Sequence, residues 1–132
     1  MDILARWKRQ DWACVTLATL IAGPAFAFRE LAIVPRATVG ICAAASAPGW
    51  CVPRLWVLHG QYHGVFGWAA LTAGLTAFFL GQRTLAGLAV GLGITAVVNY
   101  NGTQGIIGAA LGLITWLSLL TNRPGWGRRG SL

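Results

Sequence analysis

Between Tyr62 and Leu120 the only formally charged side chain is Arg83. Water-exposed helices cannot be built from so long a stretch with so little charge, so the solvent for this part of the chain must be lipid. The whole chain agrees: 56% of its residues are hydrophobic and 10% charged, against roughly 25% charge in an ordinary soluble domain. With 132 residues it falls within the size of one folding unit, and a single all-α membrane domain is expected.

Apolar runs at residues 12–28, 62–80, 84–98 and 105–120 predict four transmembrane helices packed as a compact bundle. The separators Gly81-Gln82-Arg83 and Asn99-Tyr100-Asn101-Gly102 read as tight turns. The first run is short for a span and has room to continue to Val34.

Charge orients the bundle. With the N-terminus in the cytoplasm, Arg6, Lys8, Arg9, Arg83, Arg123, Arg128 and Arg129 lie inside, and Arg29, Arg36 and Arg54 lie outside, which divides the 10 basic residues in the positive-inside sense. Four spans with both termini in is therefore the expected topology, with residues 122–132 as a short basic cytoplasmic tail on the inner leaflet. A bacterial inner (plasma) membrane is the expected location. The net charge of +7 does not indicate nucleic acid, because the cations flank apolar segments instead of gathering in one aromatic-interleaved patch.

The connection at residues 29–58 is unlike the others. Its apolar part, residues 37–47, is too short to cross a bilayer, and Pro35, Pro48 and Pro53 interrupt any continuous helix. A long external loop lying along the outer interface is expected. The start of the chain also admits a rival reading, since Arg6-Trp7-Lys8-Arg9, an apolar core and Ala25-Phe26-Ala27 resemble a secretory signal cleaved after Ala27, which would leave three helices. Asp11 beside the core and the length of the run favour a retained anchor.

Small residues recur four positions apart in the later spans: Gly60 and Gly64, Ala70 and Gly74, Gly87 and Gly91, Gly108 and Gly112. One helical turn separates each pair, so a groove opens in which another helix can approach closely. That neighbour is either within the bundle or in a membrane-protein partner or a second copy.

Cys42 and Cys51 fall in the predicted external loop, where an oxidising compartment lets a disulfide persist. Their spacing suits a structural staple and lacks the Cys-x-x-Cys pattern of a redox pair. Cys14, in the first span, reads as a small hydrophobe. His59, Tyr62 and His63 stand at i, i+3 and i+4, so they share a helix face at the outer rim. Two imidazoles there suggest a site for a metal or a quinone head group, although a stable metal site needs further ligands. One haem held between the pair is disfavoured, because neighbours on one turn cannot reach opposite faces of one ring, so each His would need a different haem or partner. The competing reading is an interfacial belt of polar aromatics. Asn99, Asn101 and Gln104 should emerge on the same side and could join a polar cluster, or simply cap a hairpin between membrane helices.

Paired carboxylates, phosphate loops and zinc-ligand spacings are missing from the sequence, and none of Asp2, Asp11 and Glu30 falls within a predicted span. Coupled transport and acid–base catalysis generally need such groups. The expectation is a non-catalytic accessory or assembly subunit of a larger membrane complex, embedded in the lipid bilayer. The alternatives are a cofactor-binding redox module at His59 and His63, and an uncoupled channel or small transporter formed by oligomerisation.

Overall fold

The computed structural model describes residues 4–121, and the predicted basic tail at residues 122–132 lies outside the described residues. Within them the chain is all-helical. A 3-10 turn at Leu4–Arg6 precedes α1 (Arg9–Phe28), which runs directly into a π-helical turn at Arg29–Ile33. Then follow α2 (Ala37–Ala43), α3 (Cys51–Tyr62), α4 (Val65–Leu80), α5 (Arg83–Val98) and α6 (Gly102–Leu120).

Two of these helices are long and apolar enough to cross a membrane, the continuous Arg9–Ile33 and Gly102–Leu120. A third crossing is available if α3 and α4, bent by 66° at their junction, count as one broken span. At 1.5 Å per residue the 25 residues from Arg9 to Ile33 extend about 37 Å, more than the roughly 30 Å of a hydrocarbon core. The first helix therefore does continue through the stretch that begins with Arg29. Pro24 sits inside α1, where it removes one backbone hydrogen bond; the π turn five residues further on is a second local departure from α geometry.

The interior is built from small residues and the surface from large ones. Ala70, Ala73, Ala77, Ala86, Ala89 and Ala96 are buried, while Leu20, Leu31, Trp68, Phe79, Leu80, Ile106 and Leu117 are exposed. A water-soluble helix bundle would place its large apolar residues inside. Here the outward faces suit acyl chains, and the inward faces let backbones touch.

The glycines show how close that approach is. A Cβ on Gly108 would run into the Ala70 carbonyl, and one on Gly74 would stand 2.6 Å from the Gly108 carbonyl oxygen, so α4 and α6 meet backbone to backbone. Gly93 and Gly105 do the same between α5 and α6, with Gly112 against Ala86. Gly87 and Gly91 face α1, where an added Cβ would lie 3.0 Å from the Cys14 Cα and 3.1 Å from the Ala18 Cα. Helix α5 is thus the central element, flanked by α1, α4 and α6. At 16 residues it spans about 24 Å, so it is short for a crossing.

Residues 29–58 are more regular than a loop. They contain the π turn, α2 and most of α3, with breaks at Pro35 and around Pro48. Pro53 causes no break because it occupies the first turn of α3, where its missing N–H is not needed.

Candidate functional site

Two polar clusters mark opposite ends of the bundle. At one end, Cys42 in α2 and Cys51 at the start of α3 form a disulfide with Cα atoms 5.5 Å apart. The bridge fastens two short helices that otherwise have little holding them together. Arg54 adds a tie, donating from Nε to the Ala32 carbonyl at 2.9 Å.

Helix α3 ends at Tyr62, and Gly64, with φ of 70°, makes the bend into α4. A left-handed conformation here favours glycine. His63 lies one residue past the helix, yet its N–H still bonds the His59 carbonyl at 3.1 Å. The two imidazoles meet edge to face with centroids 4.3 Å apart, and Tyr62 packs on His63 at 5.2 Å. Both histidines are exposed, and Tyr62 is 86% exposed. Among the described residues, no group of three or more His, Cys, Asp or Glu side chains is placed to hold a metal ion. The spacing brought the rings together but assembles nothing further around them.

The asparagine turn forms the other half of this end. Asn101 donates from Nδ2 to the Gln61 carbonyl at 3.0 Å, and its Oδ1 accepts from the Gly67 N–H at 3.4 Å. Gly67 is in the first turn of α4, where amides lack partners within the helix. Gly64, the residue before that helix, has no side chain to cap it, so Asn101 serves as a cap supplied from the α5–α6 turn. Gln104 packs nearby through its Cβ, 3.1 Å from where a Gly67 Cβ would stand.

Asn99 is 2% exposed; its Nδ2 donates to the Thr95 carbonyl at 2.9 Å, while its Oδ1 has no partner among the described residues. The hydrogen bonds of the Asn99 and Asn101 side chains thus go to the protein's own backbone. Arg29, stacked over the Tyr100 ring at 4.4 Å, joins the end of α1 to the same turn.

The opposite end holds a cluster that sequence reasoning missed. Asp11 belongs to the first turn of α1 and is completely buried. One carboxylate oxygen accepts from the Trp116 indole at 2.8 Å; the other accepts from the Lys8 backbone N–H at 2.7 Å and from Arg83 Nη1 at 3.3 Å. Arg83 also donates to the Leu119 carbonyl at 3.3 Å, and the Cys14 thiol donates to the Arg83 carbonyl at 3.0 Å. One carboxylate thus joins the starts of α1 and α5 to the last turns of α6. A signal for it existed: the expected topology puts Asp11 and Arg83 on the same side.

Beside this cluster opens a pocket of about 490 Å³ lined by Arg6, Trp7, Lys8, Arg83 and the end of α6. Trp7 stacks edge to face with both Trp12 and Trp116, at 5.7 and 5.5 Å. Arg6 reaches across to the Thr121 carbonyl at 3.3 Å.

No protein-family model, curated protein or solved structure matches the chain. The arrangement itself must carry the argument. Among the described residues the one buried carboxylate is paired with an arginine and accepts three hydrogen bonds, which suits holding helices together.

Proposed function

We propose that the chain is a non-catalytic integral membrane protein of a bacterial inner membrane, serving as an accessory or assembly subunit whose partner contacts lie on the disulfide-stapled α2–α3 unit. In this reading α1, α4, α5 and α6 make four passes, with the Asp11 end in the cytoplasm and the α2–α3 unit with its disulfide outside. A retained first helix is supported by its packing, because cleavage after Ala27 would strip the cover from Gly87 and Gly91.

The observation that carries the reading is a contrast in how surfaces are used. The small-residue faces at Gly87, Gly91, Gly108 and Gly112 are occupied within the monomer by α1, α4 and α5, so they are not free for a partner. Helix α3 instead displays Val52, Leu55, Trp56, His59 and Tyr62 along one exposed side, with Trp56 71% exposed. Aromatic anchors of this kind dominate binding energy at protein interfaces. Among the described residues the same end carries Arg29, Arg36 and Arg54 with Glu30 as the only acid, which favours a partner whose apolar surface is fringed by carboxylates. His59 and His63 then belong to the contact face.

Solubilisation of the native membrane in mild detergent, followed by native electrophoresis, tests this. The chain should migrate in an assembly well above its own 14.0 kDa plus detergent, and Leu55→Ala/Trp56→Ala should release it as a monomer. Recovery of the unaltered chain as a monodisperse monomer would overturn the subunit role. An assembly that survives the double substitution would overturn the choice of surface.

A further inference from the structure

We infer that the pocket between the N-terminal segment and the end of α6 binds a phosphate group, with Arg6, Lys8 and Arg83 as its cationic wall. The inference stands apart from the subunit reading, which concerns the opposite end of the bundle.

Charge accounting comes first. Three cations line one pocket of about 490 Å³. Among the described residues the only carboxylate near them is Asp11, which is buried and already accepts from Arg83, Trp116 and the Lys8 backbone. The other acid among the described residues, Glu30, lies at the far end of the long first helix, about 30 Å away at 1.5 Å per residue. Among the described residues Arg6 and Lys8 therefore have no counter-charge, which a bound anion would supply.

Geometry then selects phosphate. Arg6 is held at the mouth by its bond to the Thr121 carbonyl, and Arg83 is fixed by Asp11 and the Leu119 carbonyl. Two oriented guanidiniums and an ammonium around a small cavity match the several acceptor oxygens of a phosphate. Trp7, which lines the pocket, has an indole N–H without an acceptor among the described residues. Depth points to a source as well. The cluster of Trp7, Trp12 and Trp116 is the kind of aromatic belt that sits at headgroup level, where acidic phospholipids present phosphates to basic residues. A lipid headgroup and free phosphate share this chemistry, so the experiment separates them.

The full chain in neutral detergent is titrated with short-chain phosphatidylglycerol, short-chain phosphatidylcholine and inorganic phosphate, with tryptophan emission as the readout. Saturable binding of phosphatidylglycerol with at least tenfold weaker phosphatidylcholine binding is expected, and Arg6→Gln/Lys8→Gln should weaken phosphatidylglycerol at least tenfold. Arg36→Gln, at the other end, should leave it unchanged. Both altered pocket residues are exposed and the Lys8 bond to Asp11 uses its backbone, so the variant keeps the Asp11 cluster; retention of the wild-type unfolding temperature checks this. Lys8→Glu, a single substitution at the same wall with the same change of two charges, should weaken phosphatidylglycerol binding to a similar degree. Saturation by inorganic phosphate, lost in the same variants, assigns the site to free phosphate; saturation by phosphatidylglycerol alone assigns it to lipid. Equal responses to the two lipids with none to phosphate, or binding that is indifferent to Arg6 and Lys8, would overturn the inference.

Discussion

The two ends of this bundle solve the same problem with opposite chemistry. Each must hold helix termini together where the chain leaves an apolar interior. At the Asp11 end the device is charge: a buried carboxylate of α1 is shared among an arginine of α5, an indole of α6 and a backbone amide of the segment before α1. At the disulfide end it is a covalent staple and neutral amides: Cys42–Cys51, and Asn101 bridging Gln61 and Gly67. The difference determines how each end fails. A charged node is cooperative, because removing one member strands the others in a low dielectric. A staple and a neutral cap act locally, and their loss loosens one connection.

The largest effect is expected from Asp11→Ala. It leaves Arg83 without its carboxylate, the Trp116 indole without its acceptor and the start of α1 uncapped. Breaking a buried pair by removing one partner costs about 3–5 kcal/mol, which should appear as a large fall in unfolding midpoint in detergent. Asp11→Ala/Arg83→Met should recover much of that loss, because no charge is then left unpaired. A loss below about 1 kcal/mol for the single variant, the value of an exposed pair, would erase the contrast between the ends.

Opening the staple comes second. Cys42 and Cys51 are 9 residues apart in sequence, and closing so short a loop in the unfolded chain is worth about 2.5 kcal/mol in the loop-entropy description. Cys42→Ser/Cys51→Ser should lower stability by up to that amount. Limited proteolysis would show where the loss falls: new cuts between α2 and α3, with α4–α6 still protected. Cuts spreading into the glycine-packed helices would mean that the staple holds the bundle together.

This division also explains what could be read in advance. The apolar runs gave helices in the expected places because lipid-facing helices are defined by composition over many residues, a local property. The Gly81 and Asn99–Gly102 separators are turns because the backbone must reverse there, and Gly81 takes φ of 63°. The disulfide was legible from two cysteines in one loop. The break at Gly64 was not: His59 to His63 keeps helical spacing, and the bend depends on Asn101 capping α4 from a turn 34 residues further along. Nor was the burial of Asp11, which looks like a residue ahead of the span until α1 is seen to begin at Arg9 and its partner Arg83, 72 positions away, is brought beside it. Spacing along one helix is a local quantity, whereas which helix end covers another is decided by backbone contacts such as Gly87 on Cys14.

The smallest effect should come from Asn101, and it tests the neutral end most directly. Asn101→Ala removes the donor to Gln61 and the acceptor for the Gly67 amide. The Gln61 carbonyl keeps a second donor, the Gly64 N–H at 3.2 Å, so the main loss is the α4 cap. Such a loss costs about 1 kcal/mol. Asn101→Asp keeps an acceptor for Gly67 and gives up the donor to Gln61, so it should retain most of the stability that alanine loses. Amide hydrogen exchange supplies the local readout: Gly67 should exchange faster in Asn101→Ala and near the wild-type rate in Asn101→Asp. If aspartate were as damaging as alanine, the bond to Gln61 would be the tie that matters, and α3 rather than α4 would be the helix this turn secures.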